Sequence, residues 1–503
     1  MALQTHNDGS TLIDEAYSSN LFAALADVWQ QALTEHLQSS LSGDTNVLNW
    51  RDPADAVAAA EECLTAGTQQ TSVDRISQFT LLLRQMLANG QNLHHPRYIG
   101  HQVPASVPVA GLFDAVGSIT NQPMAIFEMG PWATAIEHAL VRRLCSKIGW
   151  NLDSSTGLLT HGGSLANLTA LLTARNIAFP QSWSEGTPQN AVLVVQSDAH
   201  YCVARAAGIL GLGTRQVIKV GLDNRRRMDP EQLDRVLQEC RSSGQAVLAV
   251  AAAACATPIG AFDPLPQIAE ICERYGVWLH VDAAHGGSTL MSSRHRHLVQ
   301  GIELADSVVW DAHKLMFVPA LCAAVLYRQK AHRYAAFQQD APYLYDASNP
   351  GMAEYDNGMC TVECTKRSTG FGLWGLWSMF GDELFADLID RTFALAETVH
   401  QMISDAADFE ACHVPECNIV VFRHLPPDIC GSPIEVQNEF QLQVRRDIVR
   451  SGAFYIVQTV LDGRQCLRLT VMNPATQHSD LKALLDCIRE TGRRLLQSRD
   501  ETC

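Results

Sequence analysis

A strand–helix–strand unit in the middle of the chain limits most strongly the folds that this sequence can adopt. Residues 246–253 are an unbroken run of alanine, valine and leucine, which is typical of a strand buried on both faces. Asp263 and Pro264 are predicted to cap a following helix, and Gly276 is predicted to end it. Residues 277–281 form the next strand. Because such a unit closes right-handed with parallel strands, the sequence predicts a mostly parallel α/β sheet.

The hydrophobic pattern divides the 503 residues into three parts. Residues 1–100 have the periodicity of amphipathic helices. Residues 101–395 alternate short apolar runs with helical patterns and are predicted to form a large α/β domain. Residues 396–503 follow a β-α-β-β-α order, which predicts a small α+β domain. Since 47% of the residues are apolar and 18% are charged, the chain can bury a large core, and disorder is excluded as its main state.

The charge balance excludes two classes of partner. The chain has 37 basic and 53 acidic residues and a net charge of −16, which disfavours binding to nucleic acid or to an anionic membrane. Residues 1–10 are polar and lack the pattern of a secretory signal. The longest apolar run, residues 246–256, is shorter than the ~18 residues that indicate a membrane span. We therefore expect a cytoplasmic protein.

The 15 cysteines are scattered and form no C-x-x-C pair. A chain of this length needs no disulfide framework, so the sequence predicts reduced thiols. Zinc binding is the alternative use of these residues. His295 with His297, and Cys360 with Cys364, are the closest candidate pairs, but neither completes a four-ligand set. No metal site is predicted.

A glycine-containing turn precedes a helix at Thr160-His161-Gly162-Gly163-Ser164. Small residues let the backbone approach an anion, and the N-terminus of a helix presents free N–H groups and the positive end of a dipole. The segment is therefore a candidate phosphate site. A simple turn and helix cap is the alternative interpretation.

A carboxylate, Asp282, follows the strand of residues 277–281. Ligands of open α/β sheets bind at the carboxyl ends of the strands, which is where this side chain lies. A buried aspartate also requires a partner, and a protonated ring nitrogen would be one. The alternative is an aspartate that only caps the following turn.

Lysine is scarce, with six residues among the 37 basic ones. Lys314 alone follows a short apolar strand and a histidine, and precedes a further apolar run. Burial there would lower the pKa of the amine and make it a nucleophile. Lys147 and Lys482 lie on predicted amphipathic helices. Lys219 and Lys330 lie at the edges of predicted elements near other basic residues, and Lys366, between Thr365 and Arg367, is a candidate anion-binding group.

A phosphate site, a carboxylate for a ring nitrogen and an amine for an aldehyde are together what pyridoxal 5'-phosphate requires. From about residue 95 to residue 474 the chain resembles the group II pyridoxal-phosphate-dependent amino acid decarboxylases, whose members act on glutamate, diaminobutyrate, cysteine sulfinate or aromatic amino acids. The resemblance implies an aspartate aminotransferase-like (fold type I) architecture with a seven-stranded, mostly parallel sheet and helices on both faces. It also implies a homodimer, with residues 1–100 as the dimerisation segment and the active site at the subunit interface.

The resemblance assigns roles to residues around the cofactor. Lys314 of Asp311-Ala312-His313-Lys314 would form the imine with the cofactor, and Asp282 would pair with the pyridine nitrogen. His200 would lie over the ring. The remaining cofactor contacts implied by the resemblance are Gly163, Ser164 and His313 at the phosphate, and Ala284 and Thr257 beside the ring.

Two further matches concern decarboxylation itself. Tyr343, in Asp340-Ala341-Pro342-Tyr343-Leu344, resembles the loop tyrosine of the family and would protonate the substrate carbon from the neighbouring subunit, with His200 as the alternative proton donor. Arg468 resembles the arginine that binds the substrate carboxylate, and its guanidinium offers a bidentate fork.

The sequence also departs from the family. The common N-P-H-K motif is D-A-H-K here, which places the acid Asp311 beside the cofactor. The substrate-facing segment contributes His101 and Gln102 and matches neither the aromatic nor the glutamate subgroup. Among the substrates of the family, we expect decarboxylation of a small polar L-amino acid, such as 2,4-diaminobutyrate or glutamate.

The sequence disfavours three other interpretations. An aldehyde synthase or a transaminase-like enzyme would use the same cofactor, but tyrosine at position 343 and histidine at position 200 favour the decarboxylase. A catalytically silent homologue is disfavoured because Lys314 and Asp282 are both present. A dinucleotide site at residues 208–213 lacks the G-x-G-x-x-G spacing.

Overall fold

The computed structural model describes residues 11–69, 74–337 and 353–500. The chain consists of two compact units. The sheet unit comprises the described residues of Gly100–Leu442 and Val457–Pro474, and the helical unit comprises those of Met1–Ile99, Gln443–Ile456 and Ala475–Cys503. The predicted division into three domains, residues 1–100, 101–395 and 396–503, stays a prediction.

The helices, numbered in chain order, are α1 Leu12–Ala16, α2 Ser19–Ser42, α3 Pro53–Gln69, α4 Arg75–Asn89, α5 Pro108–Thr120, α6 Pro131–Ile148, α7 Gly163–Ala178, α8 Ser182–Glu185, α9 Tyr201–Ile209, α10 Pro230–Ser242, α11 Leu265–Tyr275, α12 Phe371–Phe380, α13 Glu383–Ser404, α14 Pro427–Cys430, α15 Ile434–Ser451 and α16 His478–Asp500. Among the described residues, no helix is both long enough and apolar enough to cross a membrane.

The strands are β1 Pro123–Met124, β2 Thr156–Thr160, β3 Ala191–Gln196, β4 Val217–Val220, β5 Ala246–Ala253, β6 Trp278–Asp282, β7 Ser307–Asp311, β8 Ala323–Tyr327, β9 Lys366–Arg367, β10 Phe409–Ala411, β11 Ile419–His424, β12 Val457–Leu461 and β13 Arg464–Thr470. Seven of them form one sheet in the order β2-β8-β7-β6-β5-β3-β4. Strand β8 is antiparallel to both of its neighbours, and the other pairs are parallel. Strands β10-β11-β13-β12 form a second, antiparallel sheet, and β1 pairs with β9.

Helices cover both faces of the seven-stranded sheet, as alternation along β3 shows. Leu193 and Val195 belong to a cluster of buried side chains with α7 and α9, whereas Val194 belongs to a different cluster with α10 and α11. Successive side chains of a strand point to opposite faces, so both faces are covered, and residues 191–195 of β3 are apolar on both. The predicted mostly parallel sheet with helices on both faces is confirmed.

The carboxyl ends of four strands meet at one edge of this sheet. Asp282 at the end of β6 pairs with Ala253 at the end of β5. Asp311 at the end of β7 pairs with Ala323, which in turn pairs with Thr160 at the end of β2. The segments that follow these ends are therefore neighbours in space.

The strand–helix–strand unit agrees with the sequence except at the start of its helix. Strand β5 has the predicted bounds, and Gly276 ends α11 with a left-handed φ of +66°. Asp263, however, does not cap the helix, which begins at Leu265 without a side-chain cap. Its carboxylate is buried and accepts hydrogen bonds from the backbone N–H groups of Met228 and Ala253. The aspartate thus joins the long strand to a neighbouring turn, a tertiary role that a local capping pattern cannot reveal.

Candidate active site

A cavity of about 370 Å³ lies at the carboxyl edge of the seven-stranded sheet. Ten of the residues singled out in the sequence line it, although they come from segments far apart in the chain. These are Gln102, Gly163, Ser164, His200, Thr257, Asp282, Ala284, Asp311, His313 and Lys314. The local motifs that follow separate strands therefore converge on one site.

Lys314 projects from the turn after β7, and its Nζ lies 3.2 Å from Oδ2 of Asp311. Burial by itself lowers the pKa of this amine, but Asp311 and Asp282 outweigh burial, and the pKa is raised. The sequence-based expectation of a lowered pKa is therefore wrong for the protein without cofactor. The pKa is raised because two carboxylates face the amine. The apolar residues on either side of Lys314 in the sequence do not reveal that these carboxylates are close.

The other five lysines do not line this cavity. Lys366, which the sequence left as a possible anion-binding group, is buried and paired with Glu137. Lys147 and Lys330 form ion pairs with Asp382 and Glu354, while Lys219 and Lys482 are exposed. Lys314 is therefore the amine available to a ligand in the cavity.

The N-terminus of α7 forms one wall of the cavity. Gly162 precedes the helix with a φ of +101°, in the range that favours glycine, and it provides no side chain to cap the first N–H groups. A Cβ at Gly163 would lie 2.7 Å from Oδ2 of Asp311, so this position requires glycine as well. The result is a close-packed helix N-terminus open to an anion.

A chain of hydrogen bonds holds this helix N-terminus in place, and the sequence analysis did not predict it. Asn167 donates through Nδ2 to the carbonyl of Gly163 at 2.9 Å, and its Oδ1 lies 2.8 Å from Nε2 of His280. Nδ1 of His280 lies 2.8 Å from the hydroxyl of Ser307, which accepts a hydrogen bond from the indole of Trp278. Burial lowers the pKa of His280 to about 4, so the ring is neutral.

The direction of each hydrogen bond in this chain follows from Asn167. Because its Nδ2 donates to Gly163, its Oδ1 faces His280, and Nε2 of that ring must carry the proton. Nδ1 then accepts from Ser307. Asn167 and His280 are positioning residues for the phosphate site. The available sequence signal was the placement of His280 two residues before Asp282, on the same face of a buried strand.

Asp282 and His200 line the middle of the cavity. One carboxylate oxygen of Asp282 accepts a hydrogen bond from the N–H of Ala284 at 3.2 Å. His200 precedes α9, and its Nδ1 accepts a hydrogen bond from the N–H of Cys202. Burial lowers the pKa of His200, although Asp282 acts in the opposite direction. The imidazole is thus held in one orientation, with Nε2 as its remaining polar atom.

Arg468 of β13 lies beside the cavity and is 5% exposed. Its guanidinium donates to Oε1 of Gln102 at 3.2 Å and to the backbone carbonyls of Thr257 and Pro258 at 2.9 and 3.3 Å. These acceptors are neutral, and burial lowers its pKa to about 10. A buried cation held by neutral oxygens is suited to receive an anionic ligand.

The remaining predicted residues are placed as follows. Nδ1 of His313 lies 2.9 Å from the carbonyl of Cys322, and its Nε2 lies 3.6 Å from Asp311. His101 is exposed and is not among the residues that line the cavity. Tyr343 lies outside the described residues. The proposed roles of His101 and Tyr343 stay predictions.

The polar groups around the cavity fit a phosphorylated aromatic aldehyde with a ring nitrogen. The α7 N-terminus suits the phosphate, Lys314 suits the aldehyde and Asp282 suits a protonated ring nitrogen. Oδ1 of Asp311, moreover, is buried without a hydrogen-bond partner among the described residues. The site therefore contains a buried hydrogen-bond acceptor that none of the described residues satisfies.

Comparison with known proteins agrees with this chemistry. Residues 66–425 match the family model described as the pyridoxal-dependent decarboxylase conserved domain. Mouse CSAD is 29% identical, with a TM-score of 0.86 over 94% of this chain and 99% of that chain.

Two less similar structures show the same fold. The glutamate decarboxylase domain of diaminobutyrate-pyruvate transaminase and L-2,4-diaminobutyrate decarboxylase from Vibrio parahaemolyticus is 23% identical, with a TM-score of 0.81 over 95% of this chain and 96% of that chain. Oryza sativa TDC, crystallised with PLP and tryptamine, is 19% identical, with a TM-score of 0.86 over 95% of this chain and 99% of that chain. The predicted fold type I architecture is confirmed. The chain belongs to the pyridoxal-dependent decarboxylase family, whose members are carboxy-lyases that use pyridoxal phosphate.

Proposed function

We propose that this enzyme decarboxylates a small polar L-amino acid, such as 2,4-diaminobutyrate or glutamate, to the amine and carbon dioxide. The observation that carries the proposal is the Arg468 guanidinium, which is buried beside the cavity and bonded to neutral oxygens. A substrate carboxylate would supply the missing negative charge. Arg468 would then orient the substrate relative to Lys314.

Several groups in and beside the cavity have a defined task in this proposal. Pyridoxal phosphate, when bound, accepts the electron pair of the bond that breaks at Cα. Asp282 keeps the ring nitrogen protonated, and the N-terminus of α7 holds the phosphate. Lys314 carries the cofactor between turnovers and must lose its proton before it reacts. Arg468 and Gln102 orient the substrate so that the bond to its carboxylate is the one that breaks.

The proton that replaces carbon dioxide has two candidate donors. His200 lines the cavity, and its Nδ1 is occupied by the N–H of Cys202, so Nε2 is the atom that can hold a proton for the substrate. Tyr343 is the donor implied by the family resemblance. We propose Tyr343 as the donor and His200 as a group that lies against the ring.

The polarity of the cavity supports a small polar substrate. Gln102, Thr257, His200 and His285 line it, and Arg468 is hydrogen-bonded to the first of them. An aromatic side chain would cover these polar groups without satisfying them, which costs about 1–3 kcal/mol for each buried group left unpaired. A short side chain that ends in a carboxylate or an ammonium group would retain hydrogen bonding.

A product assay tests the proposal. The purified, cofactor-loaded enzyme is incubated with 2,4-diaminobutyrate, glutamate, aspartate, cysteine sulfinate and aromatic amino acids, and carbon dioxide, amine and aldehyde are each quantified. We expect amine and carbon dioxide in equal amounts from a small polar substrate. Aldehyde with consumption of oxygen would instead identify an aldehyde synthase, and turnover of aromatic substrates alone would contradict the proposed substrate class.

We further propose a cytoplasmic homodimer with the active site at the subunit interface. The helical unit exposes large apolar side chains between residues 12 and 86, among them Leu12, Ile13, Tyr17, Leu64 and Met86. Surfaces of this kind are typical of protein interfaces. Residues 1–100 would therefore contribute to dimerisation.

Mixing two inactive variants tests the shared active site. If Tyr343 acts across the interface, a Lys314→Ala chain paired with a Tyr343→Phe chain contains one intact site. Co-refolded mixtures should then recover about a quarter of the wild-type activity, since half of the two-fold symmetric dimers are mixed and one of their two sites is intact. Absence of any recovery, with mixed dimers verified by mass, would place Tyr343 and Lys314 of one site on the same chain.

A further inference from the structure

Three side chains with metal-binding atoms meet next to the cavity. They are Cys255 after β5, His285 after β6 and Cys417 before β11, and all three are buried. Their ligand atoms lie within 4.8 Å of one another. Two thiols and an imidazole are the ligands that Zn²⁺ and other thiophilic ions prefer.

The hydrogen bonds around His285 leave one ring nitrogen available as a ligand. Asn418 donates through Nδ2 to the carbonyl of Val471 at 3.0 Å, so its Oδ1 faces Nε2 of His285 at 2.8 Å. Because that oxygen can only accept, Nε2 carries the proton and Nδ1 keeps a lone pair. Nδ1 is buried and has no hydrogen-bond partner among the described residues.

This arrangement matches the surroundings of histidine ligands in metal sites, where the second ring nitrogen donates to a carbonyl or carboxylate oxygen. An imidazole with a fixed tautomer and an unpartnered Nδ1 is ready to bind a cation.

The charge around the two thiols is also compatible with a metal. Lys314 and Cys255 line the same cavity, and Arg468 donates a hydrogen bond to the carbonyl of Thr257, two residues after Cys255. Two thiolates would neutralise the charge of Zn²⁺, and the nearby cations would then face a site with no net charge. The binding step is the exchange of two thiol protons for one Zn²⁺, with no change of oxidation state.

We propose that Cys255, His285 and Cys417 form a binding site for a thiophilic divalent cation, Zn²⁺, with its fourth coordination position toward the active-site cavity. Cys255 and His285 both line that cavity. The cation would therefore stand next to Arg468, where the proposed function places the substrate carboxylate. Zn²⁺ occupancy would inhibit the enzyme reversibly, and a chelator would restore activity.

Metal binding is measured first, without substrate, so that the result does not depend on the proposed function. The reduced, cofactor-loaded enzyme is titrated with Zn²⁺ against a chromophoric chelator, and with Co²⁺ to detect thiolate coordination by absorbance. We expect one ion per chain, release of two protons per Zn²⁺, and tighter binding at higher pH.

Variants assign the ligands. Cys417→Ser and His285→Gln should each weaken Zn²⁺ binding by at least ~100-fold, and Asn418→Ala by ~10–100-fold, the range for partners of metal ligands. Cys272→Ser is the matched control, because Cys272 is buried in α11 and outside the cluster. It should bind Zn²⁺ as the wild type does. The cofactor absorbance and the melting temperature of each variant verify that it is folded.

Three results would overturn the site. These are the absence of stoichiometric Zn²⁺ binding to the reduced wild type, binding that survives in both ligand variants, and a Cys255–Cys417 disulfide found by peptide mass in enzyme purified without reductant. The last result would identify the pair as redox partners instead of metal ligands. Zn²⁺ inhibition is then assayed with whichever substrate the enzyme turns over, and its absence despite binding would contradict only the orientation of the fourth position.

Discussion

Two lysines of the sheet unit, Lys366 and Lys314, differ in how completely the protein satisfies them. Lys366 is 2% exposed and its Nζ donates to both carboxylate oxygens of Glu137, at 2.6 and 2.7 Å, and to the carbonyl of Leu159 at 2.6 Å. Nζ of Lys314 has one carboxylate oxygen at 3.2 Å, and its side chain opens into the cavity. All three N–H donors of the Lys366 ammonium group are therefore used within the protein, whereas Lys314 keeps donors available for a ligand.

The same contrast holds for their acidic partners. Both oxygens of Glu137 accept hydrogen bonds, whereas Oδ1 of Asp311 has no partner among the described residues. Burying polar atoms without partners costs free energy, so a protein retains them where a ligand completes them. Unsatisfied polar atoms, more than burial alone, therefore distinguish the reactive lysine from the structural one.

Replacement of the reactive lysine should have the largest effect. Lys314→Ala removes the amine that carries the cofactor, and we expect at least a ~10³-fold loss of kcat, in the upper part of the range for loss of a positioned proton-transfer group. The visible absorbance of covalently bound cofactor should disappear while the melting temperature changes little. Normal absorbance in this variant would show that another amine carries the cofactor.

Replacement of the structural lysine should act on stability. Lys366→Met leaves Glu137 buried without its cation, which should lower the free energy of unfolding by about 3–5 kcal/mol. Chemical denaturation measures the change. The double variant Lys366→Met/Glu137→Leu is the control and should recover most of the loss, because it leaves no buried charge. Unchanged stability in the single variant would remove the contrast between the two lysines.

The positioning chain behind α7 should affect cofactor affinity. Asn167→Ala leaves Nε2 of His280 without its acceptor, at about 1–3 kcal/mol, and removes the side-chain hydrogen bond to the carbonyl of Gly163, so cofactor affinity should fall ~10-fold or more. Titration of the apoenzyme with pyridoxal phosphate, followed by absorbance, measures the change. Thr169→Ala on the same helix removes only a bond to Leu165 within the helix and should leave the affinity unaltered. Equal effects of both substitutions would indicate a general loosening of the helix.

The smallest expected effect is a shift along the pH axis. Asp311 and Asp282 raise the pKa of Lys314, and the amine reacts with an aldehyde only after losing its proton. Asp311→Asn removes one of these carboxylates, so the pKa of Lys314 should fall and the apoenzyme should load its cofactor at lower pH. The rate of cofactor loading is measured as a function of pH. A shift toward higher pH would mean that Asp311 does not act on Lys314 through its charge.

Local patterns made much of the fold and site predictable. The buried strand β5, the glycine that ends α11 and the motifs around Gly163, Asp282 and Lys314 each lie within a few consecutive residues. Parallel strands then bring their carboxyl ends together, so the topology assembled the cavity once the strands were identified. The family resemblance supplied the assignment of Arg468.

The remaining features depend on contacts between residues far apart in sequence. His280 and Asn167 are 113 positions apart, and His285 and Asn418 are 133 positions apart, so no spacing pattern reveals either pair. The direction of the Lys314 pKa shift likewise depends on the side-chain distance to Asp311, and the role of Asp263 depends on donors from three other segments. These features follow from packing, which only three-dimensional coordinates supply.

Because Lys314 is the lysine that lines the cavity, peptide mapping can detect cofactor bound at this position. Trypsin cleaves after lysine and arginine, and residues 297–328 contain Lys314 as their one internal cleavage point. Borohydride reduction of the loaded enzyme would fix the cofactor on that Nζ and block the cleavage. A single peptide of residues 297–328 should therefore replace the fragment of residues 297–314, and its mass and absorbance would report the fraction of active sites in a preparation.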